Sequence, residues 1–267
     1  MTRRGFALLA VLWVIALVTA LTGVAIAAAR IGTLTTRNRV LLTRAAWARE
    51  GCIEILSARF AQGVAGGGVA IVDLGRGTWC DATLDEPATK LNLNLADRAA
   101  LATLFRILAP GRDADSLADA VLARRAREPF ADVLEVAEVP SFTNSLLAQV
   151  SPFLTTRGTG FIDFNTAPPQ VLATLPGITE EALEYVVARR SESPPRSASL
   201  LVDWLPPQAR TALLARYPEF AQDAVFAPPE YVAFVRGGVR GTSILAHVTV
   251  TLVPVGGRLA VIRRESE

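Results

Sequence analysis

The 267-residue chain is poor in the side chains that carry most chemistry. It has one histidine, His247, one methionine and two cysteines, Cys52 and Cys80. A Ser-His-Asp triad or a histidine-rich metal site would have to be built on His247, and no nucleophile motif accompanies it. The cysteines form neither a CxxC nor a zinc-spacing pattern. They are either two buried thiols or, in an oxidising compartment, a disulfide. The net charge of +2 is too small to mark a polyanion binder. No proline occurs before Pro87, and no EF-hand spacing is present. These absences point away from an enzyme.

What the chain has in quantity is apolar surface. It is 51% hydrophobic, with a positive mean hydropathy. Its length suits one large domain, or two modest ones with an anchor. The opening reads MTRRGFALLAVLWVIALVTALTGVAIAAAR. From Phe6 to Ala29 no residue is charged, and that length spans a bilayer. The apolar core of an ordinary signal peptide is shorter, roughly 7–15 residues. A second reading takes Ala27-Ala28-Ala29 as an A-x-A cleavage site, which would discard the run. Charge leaves the orientation open. Arg3 and Arg4 favour a cytoplasmic N-terminus, while Arg30, Arg37, Arg39 and Arg44 follow the run and pull the other way.

The periodicity carries the helix past the run. Leu34, Leu41, Ala45, Ala48, Cys52 and Ile55 recur at spacings of three, four and seven and make one apolar face. The first clear stop is Gly63 with Gly66–Gly68. A continuous helix from Phe6 to about Ala61 is predicted, roughly 84 Å long.

An internal repeat follows. KLNLNLADRAALATL (Lys90–Leu104) aligns with FIDFNTAPPQVLATL (Phe161–Leu175). Each copy leads to a second helical stretch ending Ala-Arg-Arg, at Arg125 and Arg190. One unit of about 65–70 residues therefore occurs twice. Asn94 and Asn165 are expected to cap the first helix of each copy. The arginine pairs 124–125 and 189–190 are expected at solvated helix ends, where cations suit the dipole. In copy two the turn is LPGIT (Leu175–Thr179), similar to the turn of helix-hairpin-helix modules, which bind DNA phosphates. Here Glu180, Glu181, Asp113 and Asp115 would repel a phosphate, so a structural use is expected, with no nucleic acid bound.

Strands flank this block. VAIVDL and RGTWCDATL read as a hairpin. YVAFVR, ILAHVTVTLV and LAVIRR read as an antiparallel meander, with Gly237-Gly238 and Gly256-Gly257 supplying the turns. Val248, Val250 and Leu252 face one side, and His247, Thr249 and Thr251 the other. SESPPRSAS (Ser191–Ser199) reads as an exposed loop.

The leader resembles that of type IV pilins and pseudopilins. In that family a membrane peptidase cuts after the glycine, here Gly5, and methylates the new N-terminus, here Phe6. The usual glutamate at the fifth mature position is Ala10 in this chain. The opening Gly5, Ala7, Leu8, Leu9, Val11, Leu12, Trp13 resembles the protein K family of type II secretion minor pseudopilins, which lacks that glutamate. So does Asp163, Asn165–Pro168, Val171, Leu172 and Leu175–Ile178 in the second repeat.

The resemblance implies an α+β fold: a long N-terminal helix packed on an antiparallel sheet, with a large inserted all-α domain holding two helix-hairpin-helix-like repeats. The expected organisation is a leader at 1–5, a transmembrane segment at 6–29, and the rest of the helix at 30–61. The head would be 62–95 with 226–267, and the inserted helical domain 96–225. The implied role is mechanical: capping the tip of a periplasmic pseudopilus and helping to initiate it. The implied partners are minor pseudopilins I and J, the major pseudopilin, the inner-membrane assembly platform and the prepilin peptidase. The protein would cross the inner membrane once, with most of the chain in the periplasm. Calcium is an implied ligand, with Asp73, Asp81, Asp85 and Glu86 as candidates and oxygen as the fitting donor. A membrane-anchored helix-hairpin-helix DNA-binding protein of a competence system is the alternative.

Overall fold

The computed structural model describes residues 3–64 and 68–265, with side chains from residue 11 onward. The side chains of Gly5, Phe6 and Ala10, on which the leader reading rests, lie outside the described residues.

Helix α1 runs from Arg3 to Ala61 without a break, about 88 Å at roughly 1.5 Å per residue. It ends where glycine allows a left-handed residue. Gly63 has φ +75°, its N–H donates to the Phe60 carbonyl, and the Val64 N–H reaches back to Arg59. That pair of bonds satisfies carbonyls which the last turn would otherwise leave bare.

Among the described residues, only the upper part of α1 meets the rest of the chain. Ala45, Ala48, Cys52 and Leu56 are buried at helical spacing. Ala48, Cys52 and Leu56 pack on Cys80, Ala82, Ala233, Val235, Val248, Val250 and Leu252, the inner face of a sheet, and Ala45 lies over Gly237. Leu34, expected on the same face, is 59% exposed, because the sheet begins higher up the helix.

That sheet is built from β1 (Val69–Gly75), β2 (Thr78–Asp85), β7 (Tyr231–Val239), β8 (Leu245–Val255) and β9 (Arg258–Glu265), antiparallel throughout and in that order. Arg76 and Gly77, both with positive φ, turn β1 into β2, and Gly256-Gly257 turn β8 into β9. Gly237-Gly238 do not make a turn. They lie inside β7, and the chain reverses after Val239 instead. Those two glycines exist for close approach: Gly237 touches the backbone of α1, and Gly238 sits against the ring of Trp79.

Everything between β2 and β7 forms a second core. In chain order it holds β3 (Leu91–Asn92), α2 (Arg98–Leu108), α3 (Ala114–Arg125), α4 (Asn144–Val150), β4 (Leu154–Thr155) and β5 (Ile162–Asp163). Then come α5 (Pro169–Leu172), α6 (Glu180–Arg189), α7 (Ala198–Trp204), α8 (Pro207–Ala215), α9 (Tyr217–Asp223) and β6 (Ala224–Val225). The block is mostly helical but not wholly so. β3 pairs parallel with β4, and β5 with β6. Leu91 and Leu93, expected in the head, join this second core with Leu101, Phe105, Phe164 and Leu172.

The repeat is visible in hydrogen bonds. Leu93 N–H donates to Thr155, and Phe164 N–H to Val225. Arg125 Nη1 donates to the carbonyls of Leu93 (3.0 Å) and Ala96 (2.8 Å). Arg190 Nη1 donates to Phe164 (3.0 Å) and Ala167 (2.7 Å). These arginines are not solvated helix ends. Both are half-buried, and each closes a loop whose carbonyls have no ladder partner. Burial lowers the Arg190 guanidinium below its ordinary range, with Asp163 opposing.

The asparagines are not helix caps either. Asp97 caps α2 by accepting from Ala100 N–H, and Pro168 precedes α5. Asn94 instead donates to the Phe130 carbonyl and accepts from the Phe130 N–H. Asn165 donates to Pro195 and Phe226. Each amide ties its loop to a distant segment, which a single capping bond could not do.

Candidate functional site

The stem is the first functional feature. Among the described residues one helix is long and apolar enough to cross a membrane, and its most apolar 18-residue stretch has no residue buried in the protein. Polar groups in hydrocarbon are costly unless satisfied. The threonines of this helix meet that demand locally. Thr19, Thr22, Thr33, Thr35, Thr36 and Thr43 each donate to the carbonyl four residues earlier, at 2.7–2.9 Å.

A disulfide fastens the stem to the head. Cys52 and Cys80 are fully buried, with Cα atoms 5.9 Å apart. It links the helix to β2 at the centre of their packing. Around it, Ser57 exchanges hydrogen bonds with the backbone of Leu259 (3.0 and 3.2 Å), and Glu50 accepts from Arg264 at 2.8 Å.

The four acids expected as calcium ligands are not brought together. Asp73 accepts from its own turn at Gly75 N–H and pairs with Arg240 at 3.0 Å. Asp81 pairs with Arg236 across the sheet, and Asp85 with Lys90 at 2.7 Å. Each of these three carboxylates is neutralised by its own cation, so they do not form the shared oxygen shell calcium requires. Among the described residues no group of three or more His, Cys, Asp or Glu is placed to hold a metal.

Glu86, the fourth, points elsewhere. It follows β2 at the joint between the two cores and accepts from the Thr166 hydroxyl. The same hydroxyl oxygen stands 2.9 Å from Asp163 Oδ2, so its single proton serves one carboxylate at a time. Asp163 is completely buried and accepts from Asn165 N–H at 3.0 Å. Burial pushes the Glu86 carboxyl up to about 7; the Thr166 hydroxyl opposes this, and Asp163 and Asp85 add to the rise. Asp163 as a partner for Glu86 was absent from the sequence reading. The signal was there: the first repeat has Asn92 at the equivalent position, whose amide donates to Arg157 and Gly158.

The remaining features place as follows. His247 is exposed on β8, facing away from the helix as its alternation requires. The LPGIT turn is folded against α8. A Cβ on Gly177 would stand 3.0 Å from Leu213 Cα and 3.1 Å from the Ala212 carbonyl. Thr179 caps α6, and Glu180 and Glu181 are exposed at its start. Pro195, inside the expected exposed loop, is buried as an anchor for Asn165, while residues 191–194 are exposed.

No protein-family model and no curated protein matches the chain. Among the solved structures similar to it is the GspK-GspI-GspJ complex from the type 2 secretion system of enterotoxigenic Escherichia coli, aligned over 90% of this chain and 99% of that one. The identity is 15% and the TM-score 0.53. A long N-terminal helix on an antiparallel sheet, matched at that level, is a pseudopilin-like fold.

Proposed function

We propose that this protein is a minor pseudopilin of a type II secretion system, resembling protein K, that caps and helps initiate the periplasmic pseudopilus. The observation that carries the reading is the division of α1. Its lower part is apolar and wholly exposed, and its upper part is bolted to the head by packing and by Cys52–Cys80. Such a helix serves as an anchor in lipid and as a packed strut in a fibre. A single-pass protein with its head in the periplasm also suits a disulfide, which oxidising compartments maintain.

In this reading the peptidase cuts after Gly5 and methylates Phe6. Ala10 replaces a glutamate that would have to pair with the amine of a neighbour above. A tip subunit has no such neighbour. The insertion between β2 and β7 holds more than half of the chain, and in this reading the repeated segments within it are the two helix-hairpin-helix-like units. It makes the head too bulky to be stacked upon. The partners are minor pseudopilins I and J, consistent with the composition of the complex whose fold this chain shares, together with the major pseudopilin and the assembly platform. Three of the candidate calcium ligands, Asp73, Asp81 and Asp85, pair instead with arginine or lysine.

The DNA-binding alternative reads less well, because the Gly177 turn is packed on α8 and flanked by carboxylates. Mass spectrometry of the N-terminus of the membrane-extracted protein tests the proposal. A methylated Phe6 is expected. A start at Arg30 overturns it, because the stem would then be a discarded signal.

A further inference from the structure

A cleft of about 450 Å³ opens where the insertion meets the outer face of the sheet. One wall is the sheet itself, at Val232 of β7, Thr251 of β8 and Ile262 of β9. The other is the loop from Thr156 to Thr159. Alternation along the strand sets the side: Tyr231 and Ala233 belong to the core beneath α1, so Val232 faces the opposite way.

Four charged side chains line the cleft, and three of them are engaged with one another. Arg157 Nη1 donates to Glu265 Oε2 at 3.1 Å, and Arg263 Nε stands 3.0 Å from Glu265 Oε1. Arg157 is also held over the ring of Phe234, 5.3 Å from its centroid. The fourth is Glu230. It is only 8% exposed, and its Oε1 has no hydrogen-bond partner among the described residues. Gly158 makes this burial possible. It has φ +89°, and a Cβ there would stand 3.3 Å from Glu230 Oε1 and 2.6 Å from Pro87 Cβ. The loop therefore closes over the carboxylate with bare backbone.

A buried carboxylate with neither a cation nor a full set of donors is a costly arrangement. Packing alone would be served as well by an uncharged side chain of the same length. Both arginines in reach of the cleft are committed to Glu265, so the chain does not supply the missing charge from within it.

We propose that Glu230 anchors a binding site for a primary ammonium group on an aliphatic stem, the chemistry of a lysine side chain or of a free alkylamine. An ammonium is a compact charge with three donors. Glu230 accepts one, and Thr159 and Thr251 bring hydroxyl oxygens to the same cleft. Val232 and Ile262, the latter 61% exposed, offer apolar surface to the methylenes of the stem. A divalent metal fits worse, because one free carboxylate falls far short of the oxygen shell it needs. An anion would meet Glu230 directly and be repelled. The site lies in the head, away from the stem, and does not depend on the pseudopilin reading.

Calorimetric titration of the full-length protein in mild detergent, at about pH 7 where an alkylamine is protonated, tests the site. The probes are n-butylamine and Nα-acetyl-L-lysine methylamide. Saturable binding of both at one site per chain is expected. Tighter binding of the lysine derivative identifies a protein side chain as the occupant, and equal binding a free amine. Tetramethylammonium, which has the charge but no N–H, should bind at least tenfold more weakly. Glu230→Gln should weaken both amines at least tenfold while keeping or raising the melting temperature of the unliganded head, since it removes an unpaired buried charge. Ile262→Lys, at an exposed position, places a competing ammonium at the cleft and should weaken both amines as much; it carries the test should Glu230→Gln fail to fold. Glu180→Gln, exposed on α6, should bind as wild type. Absence of saturable binding by the wild type overturns the proposal, because the cleft then holds only water. So does wild-type binding by both Glu230→Gln and Ile262→Lys, or equal binding of tetramethylammonium or calcium chloride.

Discussion

Gly237, in the middle strand of the sheet, lies directly beneath Ala45 of the stem helix: a Cβ built on the glycine would stand 2.3 Å from the Ala45 carbonyl oxygen. The same atom would be 2.4 Å from Arg49 N. Backbone therefore meets backbone at this point, and the helix can approach the sheet only because the strand has no side chain there. This contact sets the spacing of the whole head, since Ala45 and Ala48 beside it are small for the same reason.

Gly237→Ala should accordingly be among the most damaging single substitutions. The methyl group cannot be absorbed by a flexible side chain, so the helix must lift from the sheet. A loss of about 3 kcal/mol is expected, at the upper end for overpacking. Denaturant unfolding of the detergent-solubilised protein measures it. Gly23→Ala, at a position with nothing within 4 Å, should leave the head's transition where it was.

Reducing or removing the Cys52–Cys80 bond should cost about 2–5 kcal/mol. The bond joins two elements that otherwise hold together by packing alone at that depth. Non-reducing against reducing electrophoresis should show a mobility difference in the wild type and none in C52A/C80A. The double variant should unfold at a lower denaturant midpoint.

The two repeats predict paired effects. Arg125→Ala and Arg190→Ala each remove two bonds from a charged donor to loop carbonyls. A cost of roughly 1.5–3 kcal/mol is expected for each, because the carbonyls lose their partner in a half-buried setting. Arg189→Ala, one residue away and exposed, should stay within about 0.5 kcal/mol of wild type. Equal effects from exposed and half-buried arginines would refute the equivalence.

Glu86 should make stability fall as pH rises. Its carboxyl is held at about 7 in the folded protein, against 4.5 ordinarily, first by burial and then by Asp163 and Asp85, with Thr166 opposing. The charges that share the joint are Asp163, Asp85 with its partner Lys90, Tyr231 and Arg190. The folded chain thus keeps a proton that the unfolded chain gives up. The stabilisation is complete below about pH 4.5 and is lost as pH climbs through about 7. Melting temperatures between pH 4.5 and 8.5 should decline in the wild type, and Glu86→Gln should flatten that decline. A Gln variant that melts lower than wild type at pH 8 would contradict the assignment.

Much of this architecture could be read from the order of residues because its causes are local. The unbroken α1, its stop at Gly63, the Gly256-Gly257 turn and the inward row Val248, Val250, Leu252 all follow from hydrogen bonds and side-chain alternation among near neighbours. The repeat was legible as well, through the matched ends at Arg125 and Arg190. What those arginines do was not, because their acceptors lie 23 to 32 residues back in the chain. Gly237-Gly238 looked like a turn for the same reason: a glycine demanded by a distant helix is indistinguishable, one-dimensionally, from a glycine demanded by a bend. Asp73, Asp81 and Asp85 looked like one acidic cluster until the fold gave each its own cation, Asp81 through strand pairing and the other two through turns.

The amino-acid order by itself determined that the chain has a long greasy rod, a doubled helical unit and a sheet split around it. A helix satisfies its own backbone, so length and composition suffice to specify it. Only the folded arrangement decided where that rod stops being bare at Ala45, that the two cysteines meet, and that Glu86 and Asp163 share one joint in which Glu86 holds its proton. Those outcomes depend on burial and on partners far away in the chain. Both are properties of a three-dimensional packing in which a few ångströms of approach decide the sign.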